Sequence, residues 1–114
     1  MADRDTDLIQ GTLNVLILKT LSWGPMNGFA IAGWVRQTTR GDVDLEEGAL
    51  YPALHRMEHR GWLESEWRLS EKKRRAKYYS LTPEGRRMLV VRVESWERLV
   101  RAVAAVLHAE ARPA

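Results

Sequence analysis

His55, Glu58 and His59 stand in the spacing His-x-x-Glu-His. On a helix this sets two imidazoles four residues apart on one face, with a carboxylate beside them. Such a pattern can hold zinc next to a general base. It would predict tight zinc and an activity lost in His55→Ala. Yet the chain offers no clear third ligand and, at 114 residues, no second domain to close a cleft. Patterns this short arise by chance. We therefore read the chain as a non-enzyme without a cofactor, with at most adventitious metal on the two histidines. Ser70-x-x-Lys73 matches the nucleophile–base pair of some acyl-transfer enzymes, but no supporting motif accompanies it. No glycine-rich phosphate loop is present.

The chemistry this sequence does concentrate is cationic. Five of the six residues 72–77 are basic, and residues 68–87 hold eight basic and two acidic residues, +6 in a chain whose net charge is +3. Such asymmetry points to an anionic partner docking on one region. The plain alternative is a solvated charged hairpin. The flanking residues favour the partner. EGALYPALHRMEHRG reads as a short helix, and WLESEWRL and AKYYSLT read as strands joined by the loop SEKKRR. The strand pattern has period two: Leu63, Ser65, Trp67 and Leu69 fall on one face, Glu64, Glu66 and Arg68 on the other. A helix followed by a ribbon with a cationic tip can enter a major groove while the tip reaches phosphates beside it.

Within that helix Leu50, Leu54 and Met57 form the buried stripe, leaving Gly48, Tyr51, Pro52, His55, Arg56 and His59 on or near the other face. Gly48 and Ala49 are small enough to let the helix start approach a phosphate closely. Tyr51 offers a hydroxyl for phosphate and a ring for sugar or thymine methyl, or else packs against the wing. His55 and Arg56 can donate to base edges or phosphates. His59 and Arg60 are read as helix-end residues. Lys72, Lys73, Arg74, Arg75 and Lys77 are the expected phosphate contacts, giving affinity and salt dependence but little sequence preference. Pro52 fits if its missing N–H is one of the orphans near the helix start. The acids Asp42, Asp44, Glu46 and Glu47 just ahead favour that start through the macrodipole, and should point away from any duplex.

The elements that position this region follow in order. Residues 1–6 are expected to fray, with Asp7 and Gln10 forming a capping box for a helix to about Ser22. Its segment LNVLILKTL is apolar on nearly every side, so it should be covered from two directions. Trp23-Gly24-Pro25 stops it, and Asn27 caps a second helix to about Thr39 with Phe29, Ile31, Trp34 and Val35 as its apolar residues. Thr82-Pro83-Glu84 opens the last helix, to about His108. Along it Leu89, Val93, Trp96, Val100, Val103 and Leu107 recur at four, three, four, three, four, a heptad seam too large for anything else in the chain to cover. A second copy covers it most simply, giving a two-fold homodimer through this helix and the first. Burial against the first helix alone is the intramolecular alternative. Trp96 would then face the partner's Trp96, where two indoles can stack or sandwich a flat apolar ligand, or Trp96 serves as plain core packing of the seam. Val15 and Leu18 would line the same cavity, with Asn14 as a polar contact.

The fold class is thus mostly α (α+β): a winged helix-turn-helix over residues 1–82, with a two-stranded β-wing, a dimerisation helix over 83–108 and a disordered tail over 109–114. The chain has no cysteine, its start MADRDTD has no apolar core of a signal peptide, and no apolar run is long enough to span a bilayer. A cytoplasmic protein is expected.

GALYPALHRMEHRGWLESEW and RRAKYYSLTPEGRRML together resemble the PadR family of bacterial transcriptional regulators, in its short type with a single C-terminal helix. The likeness runs from about residue 8 to about residue 107. It implies repression, relieved by a small-molecule or other signal at the dimer interface, and points to a flat aromatic effector at the dimer centre; the two-fold dimer in turn expects a pseudo-palindromic operator in double-stranded DNA. The alternative from a different class is a winged-helix module whose cationic wing grips an acidic protein.

Overall fold

The structure, a computed structural model, describes residues 2–112, with side chains from Gln10 onward. Helix α1 (Ala2–Leu21) leads into the short strand β1 (Met26–Asn27) and helix α2 (Gly28–Thr38). Helix α3 (Glu47–His59), strands β2 (Leu63–Leu69) and β3 (Arg75–Leu81), and the long helix α4 (Pro83–Leu107) complete the chain. Ile17, Leu18, Leu21, Ile31, Leu50, Ala53, Leu54, Met57, Leu63 and Tyr79 are buried in one core. α1 runs through its middle, as its all-round apolar sequence demands. No helix among the described residues is long and apolar enough to cross a membrane.

The caps are where composition placed them. Asn27 Oδ1 accepts from the Ala30 N–H at 2.8 Å at the start of α2. Thr82 Oγ1 accepts from the Gly85 N–H at 3.0 Å at the start of α4, and its hydroxyl donates to the Gly61 carbonyl at 2.6 Å. Gly61 turns the chain from α3 into β2 with φ of 80°, a conformation that favours glycine.

Three expectations are corrected, and one strand is added. The α1 backbone begins at Ala2, so the segment expected to fray is helical from there and Asp7 lies inside the helix, not at a cap. Met1 falls outside the described residues, as do Pro113 and Ala114 of the tail. Pro52 is the sixth residue of α3, too deep for its nitrogen to be an end orphan. It removes the bond that would run to the Gly48 carbonyl, on the exposed side of the helix where water can serve. Phe29 is 79% exposed instead of packed. Beyond the two-stranded wing of β2 and β3, the sheet gains a third strand, β1, not anticipated from the sequence. The sheet is antiparallel in the order β1-β3-β2, with Met26 opposite Tyr79 and Asn27 opposite Tyr78. β1 ties the start of α2 to the root of the wing.

Candidate nucleic-acid interface

α3 presents Gly48, Ala49, Tyr51, Pro52 and His55 to solvent, with Arg56 half-buried, while Leu50, Ala53, Leu54 and Met57 hold its other face to the core. Its N-cap Glu46 makes no side-chain capping bond, and Asp44 is drawn aside to Arg36 of α2 at 2.7 Å. The acids before α3 are therefore divided: one is neutralised by α2, and Glu47 opens the helix. Tyr51 packs on the start of α2. A Cβ added to Gly28 would lie 2.6 Å from its hydroxyl, so Gly28 is small to admit the ring.

The wing pairs Leu63 with Leu81, Ser65 with Tyr79, Trp67 with Lys77 and Leu69 with Arg75. Its tip is closed by the Ser70 N–H donating to the Arg74 carbonyl and the Lys73 N–H donating to the Ser70 carbonyl, both at 2.8 Å. Lys73 takes φ of 59°, a left-handed conformation unusual for a residue with a Cβ. Lys72, Lys73 and Arg74 make no ion pair among the described residues and are exposed. The tip is thus a set of unneutralised cations on a hydrogen-bonded turn.

Two of the expected phosphate contacts are engaged within the protein. Lys77 Nζ lies 3.3 Å from Glu58 Oε1, and the Arg75 guanidinium sits 5.2 Å from the Trp67 ring centre. Glu58 joins the reading helix to the wing. It accepts from the Ser65 hydroxyl of β2 and pairs with Lys77 of β3. The Ser65 hydrogen bond, then Lys77 and the nearby His55, hold its carboxyl below the ordinary carboxylate range against the opposing effect of burial. Burial, with Glu58 and Tyr51 adding to it, pushes the Tyr79 phenol above its usual value. Glu58 and Ser65 were missed in the sequence, where the face alternation of β2 was the one signal that Ser65 turns toward α3.

The other expected cluster lies along α4. Leu89 and Val93 are half-covered, but Trp96, Val100, Val103 and Leu107 are exposed in the single chain. A groove of about 430 Å³ opens between the start of the chain and this stretch, lined by Thr12, Trp96, Leu99, Val100, Val103 and Leu107 among others. A second hollow places Val15 beside Trp96. Leu18 lines neither, because it is fully enclosed in the core. Asn14 is buried and its Oδ1 finds no hydrogen-bond partner among the described residues. His55 and His59 belong to no metal-holding cluster among the described residues.

This arrangement matches known proteins. No curated protein matches the chain. Solved structures do. A transcriptional regulator from Clostridium thermocellum is 32% identical with a TM-score of 0.76, over 85% of this chain and 94% of its own. A PadR family transcriptional regulator from Eggerthella lenta is 31% identical with a TM-score of 0.75, over 96% of this chain and 93% of its own. A PadR family transcription regulator from Clostridium difficile is 32% identical with a TM-score of 0.70, over 85% of this chain and 98% of its own. The model of the transcriptional regulator PadR-like family matches residues 17–90, which take in α2, α3, the whole wing and the first turns of α4. With helix, wing and sequence in agreement over that span, the chain belongs to the PadR-like family of transcriptional regulators.

Proposed function

We propose that this regulator is a homodimeric repressor. Each subunit sets the exposed face of α3, from Gly48 to Arg56, into a major groove and lays its wing on the flanking backbone. The observation that carries the reading is the wing tip itself: Lys72, Lys73 and Arg74 unpaired on a turn held by two 2.8 Å backbone bonds, beside a helix whose exposed start is Gly48 and Ala49. Exposed cations next to a helix whose first turn carries Gly48 and Ala49 after Glu47 suit a phosphate backbone. In the dimer, two reading heads would meet half-sites about one helical turn apart, roughly 34–36 Å.

The dimer is supported by the outer half of α4, whose Val100, Val103 and Leu107 are exposed. Release of DNA is assigned to the same seam. The groove beside Trp96 is almost wholly apolar and suits a flat aromatic molecule held by two indoles. Such a ligand acts by favouring one angle between the reading heads over another.

The test is duplex binding across a salt series, wild type against Arg74→Glu with Arg75→Glu. The variant should lose specific binding, and its residual affinity should fall less steeply with salt, by about two in the log–log slope. Undiminished binding by the variant would remove the wing from the interface. It would favour the other reading, an acidic protein partner gripping the wing.

A further inference from the structure

The inner face of the wing continues past the point where the core ends. On β2 this face runs Leu63, Ser65, Trp67, Leu69, and on β3 it runs Leu81, Tyr79, Lys77, Arg75, paired in register. Leu63, Leu81 and Tyr79 are buried. Two residues further out, Trp67 is 57% exposed and Leu69 is 68% exposed. Ser65 and Lys77 on this same face reach Glu58 of α3, so the face turns to the side of the reading helix. Cations surround the apolar pair. Arg75 flanks the indole, and the tip residues Lys72, Lys73 and Arg74 lie just beyond Leu69. Exposed Phe29, at the first turn of α2, stands 5.8 Å from Lys72 Nζ.

An indole and an isobutyl group left in water at the end of a two-stranded ribbon add little to the monomer's stability. Their rim selects what can cover them. Four cations around the patch disfavour a second copy of the same wing and favour a polyanion with apolar walls. A DNA minor groove has that character: two rows of phosphate over deoxyribose walls and base-step edges, where apolar side chains act as wedges.

We propose that Trp67, backed by Leu69, is an apolar wedge that the wing presses into the minor groove next to the major-groove site of α3. Arg75 and the tip cations take the phosphates on either side. The assignment rests on the DNA-reading function proposed above and adds a determinant of specificity to it. A wedge reads deformability and not base edges. It favours the easily unstacked pyrimidine–purine steps TA and CA/TG over stiff G·C steps, at positions α3 does not touch.

The test is selection from a pool of randomised duplexes by the full chain: wild type, Trp67→Ala, Trp67→Phe, and the Arg74→Glu, Arg75→Glu pair. Circular dichroism should show all variants folded, since Trp67 is exposed. Wild type should enrich a two-fold half-site with flexible steps at the flanks. Trp67→Ala should keep the half-site, lose the flanking steps and bind the selected duplex about tenfold more weakly at an unchanged salt slope. Trp67→Phe should restore both. If Trp67→Ala selects the same flanks with undiminished affinity, the wedge is overturned, as expected of a surface that serves a protein partner. The DNA reading then still stands if the double Arg variant has lost binding. A wild type that enriches nothing would overturn both.

Discussion

Glu58 lies at the seam of reading helix and wing, between Ser65 and Lys77, with His55 on its own helix. A carboxyl held below its ordinary range stabilises the fold fully above the ordinary carboxylate pKa. That contribution is lost as pH falls through the depressed value. Urea unfolding between about pH 6 and pH 2.5 should therefore show wild type losing stability more steeply than Glu58→Gln, the two converging at the acid end. Parallel curves would mean that Glu58 is no more stabilised folded than unfolded. At this scale the sequence was partly legible. The exposed faces of Gly48, Ala49, Tyr51 and His55 followed from the spacing of Leu50, Leu54 and Met57. The partner of Tyr51 did not, because Gly28 meets it through a contact spanning two helices. Phe29 misled for a similar reason. Its apolar side chain sits on the turn of α2 that faces the wing tip instead of the core.

The start of α4 is the tightest junction between elements. A Cβ on Gly85 would stand 2.0 Å from the Trp62 carbonyl oxygen, a backbone atom with nowhere to go. Gly85→Ala should lower unfolding free energy by about 3 kcal/mol, read by urea or thermal denaturation. Gly28→Ala should cost less despite a 2.6 Å approach, because the half-exposed Tyr51 ring can swing aside. Equal losses would show that α4 shifts at its start without resistance. Elements with local signals were readable: Asn27 and Thr82 caps, Pro83 at a first position, period two in β2. β1 was not. Its two residues, Met26 and Asn27, are too few to show alternation, and they become a strand only by pairing with Tyr79 and Tyr78 some fifty residues on.

The chain measures 63 × 29 × 28 Å, elongated because α4 outruns the core. Leu107 is 73% exposed at its far end, and Val100 and Val103 stand open between it and Trp96. If a second copy covers this side, Val103→Glu should give a monomer by sedimentation and a melting temperature independent of concentration, whereas wild type melts higher as it is concentrated. Trp96→Ala should remain a dimer but lose the fluorescence quenching produced by a flat aromatic dye. A monomeric wild type would sink the seam, and unchanged quenching would sink the Trp96 site. The heptad made this face legible from spacing alone, for its residues do fall on one side of α4. What spacing did not resolve was which α1 residues share the groove, because α1 is apolar all round. Val15 turns toward Trp96 and Leu18 into the core.

Trp62 joins the end of α3 to the start of α4. Its N–H donates to the Met57 carbonyl at the end of α3, and its carbonyl accepts from the Thr82 N–H at the start of α4. Its ring has Arg60 of the α3 cap at 5.1 Å and Arg92 of α4 at 5.4 Å. One residue thus ties the end of α3 to the start of α4 by two backbone hydrogen bonds. α3 extends about 16 Å from His59 back to Gly48, so if the proposed effector tilted it by 10° at this end, its far end would move by about 3 Å. That is close to the stagger between neighbouring base pairs, enough to put one head out of register with its half-site.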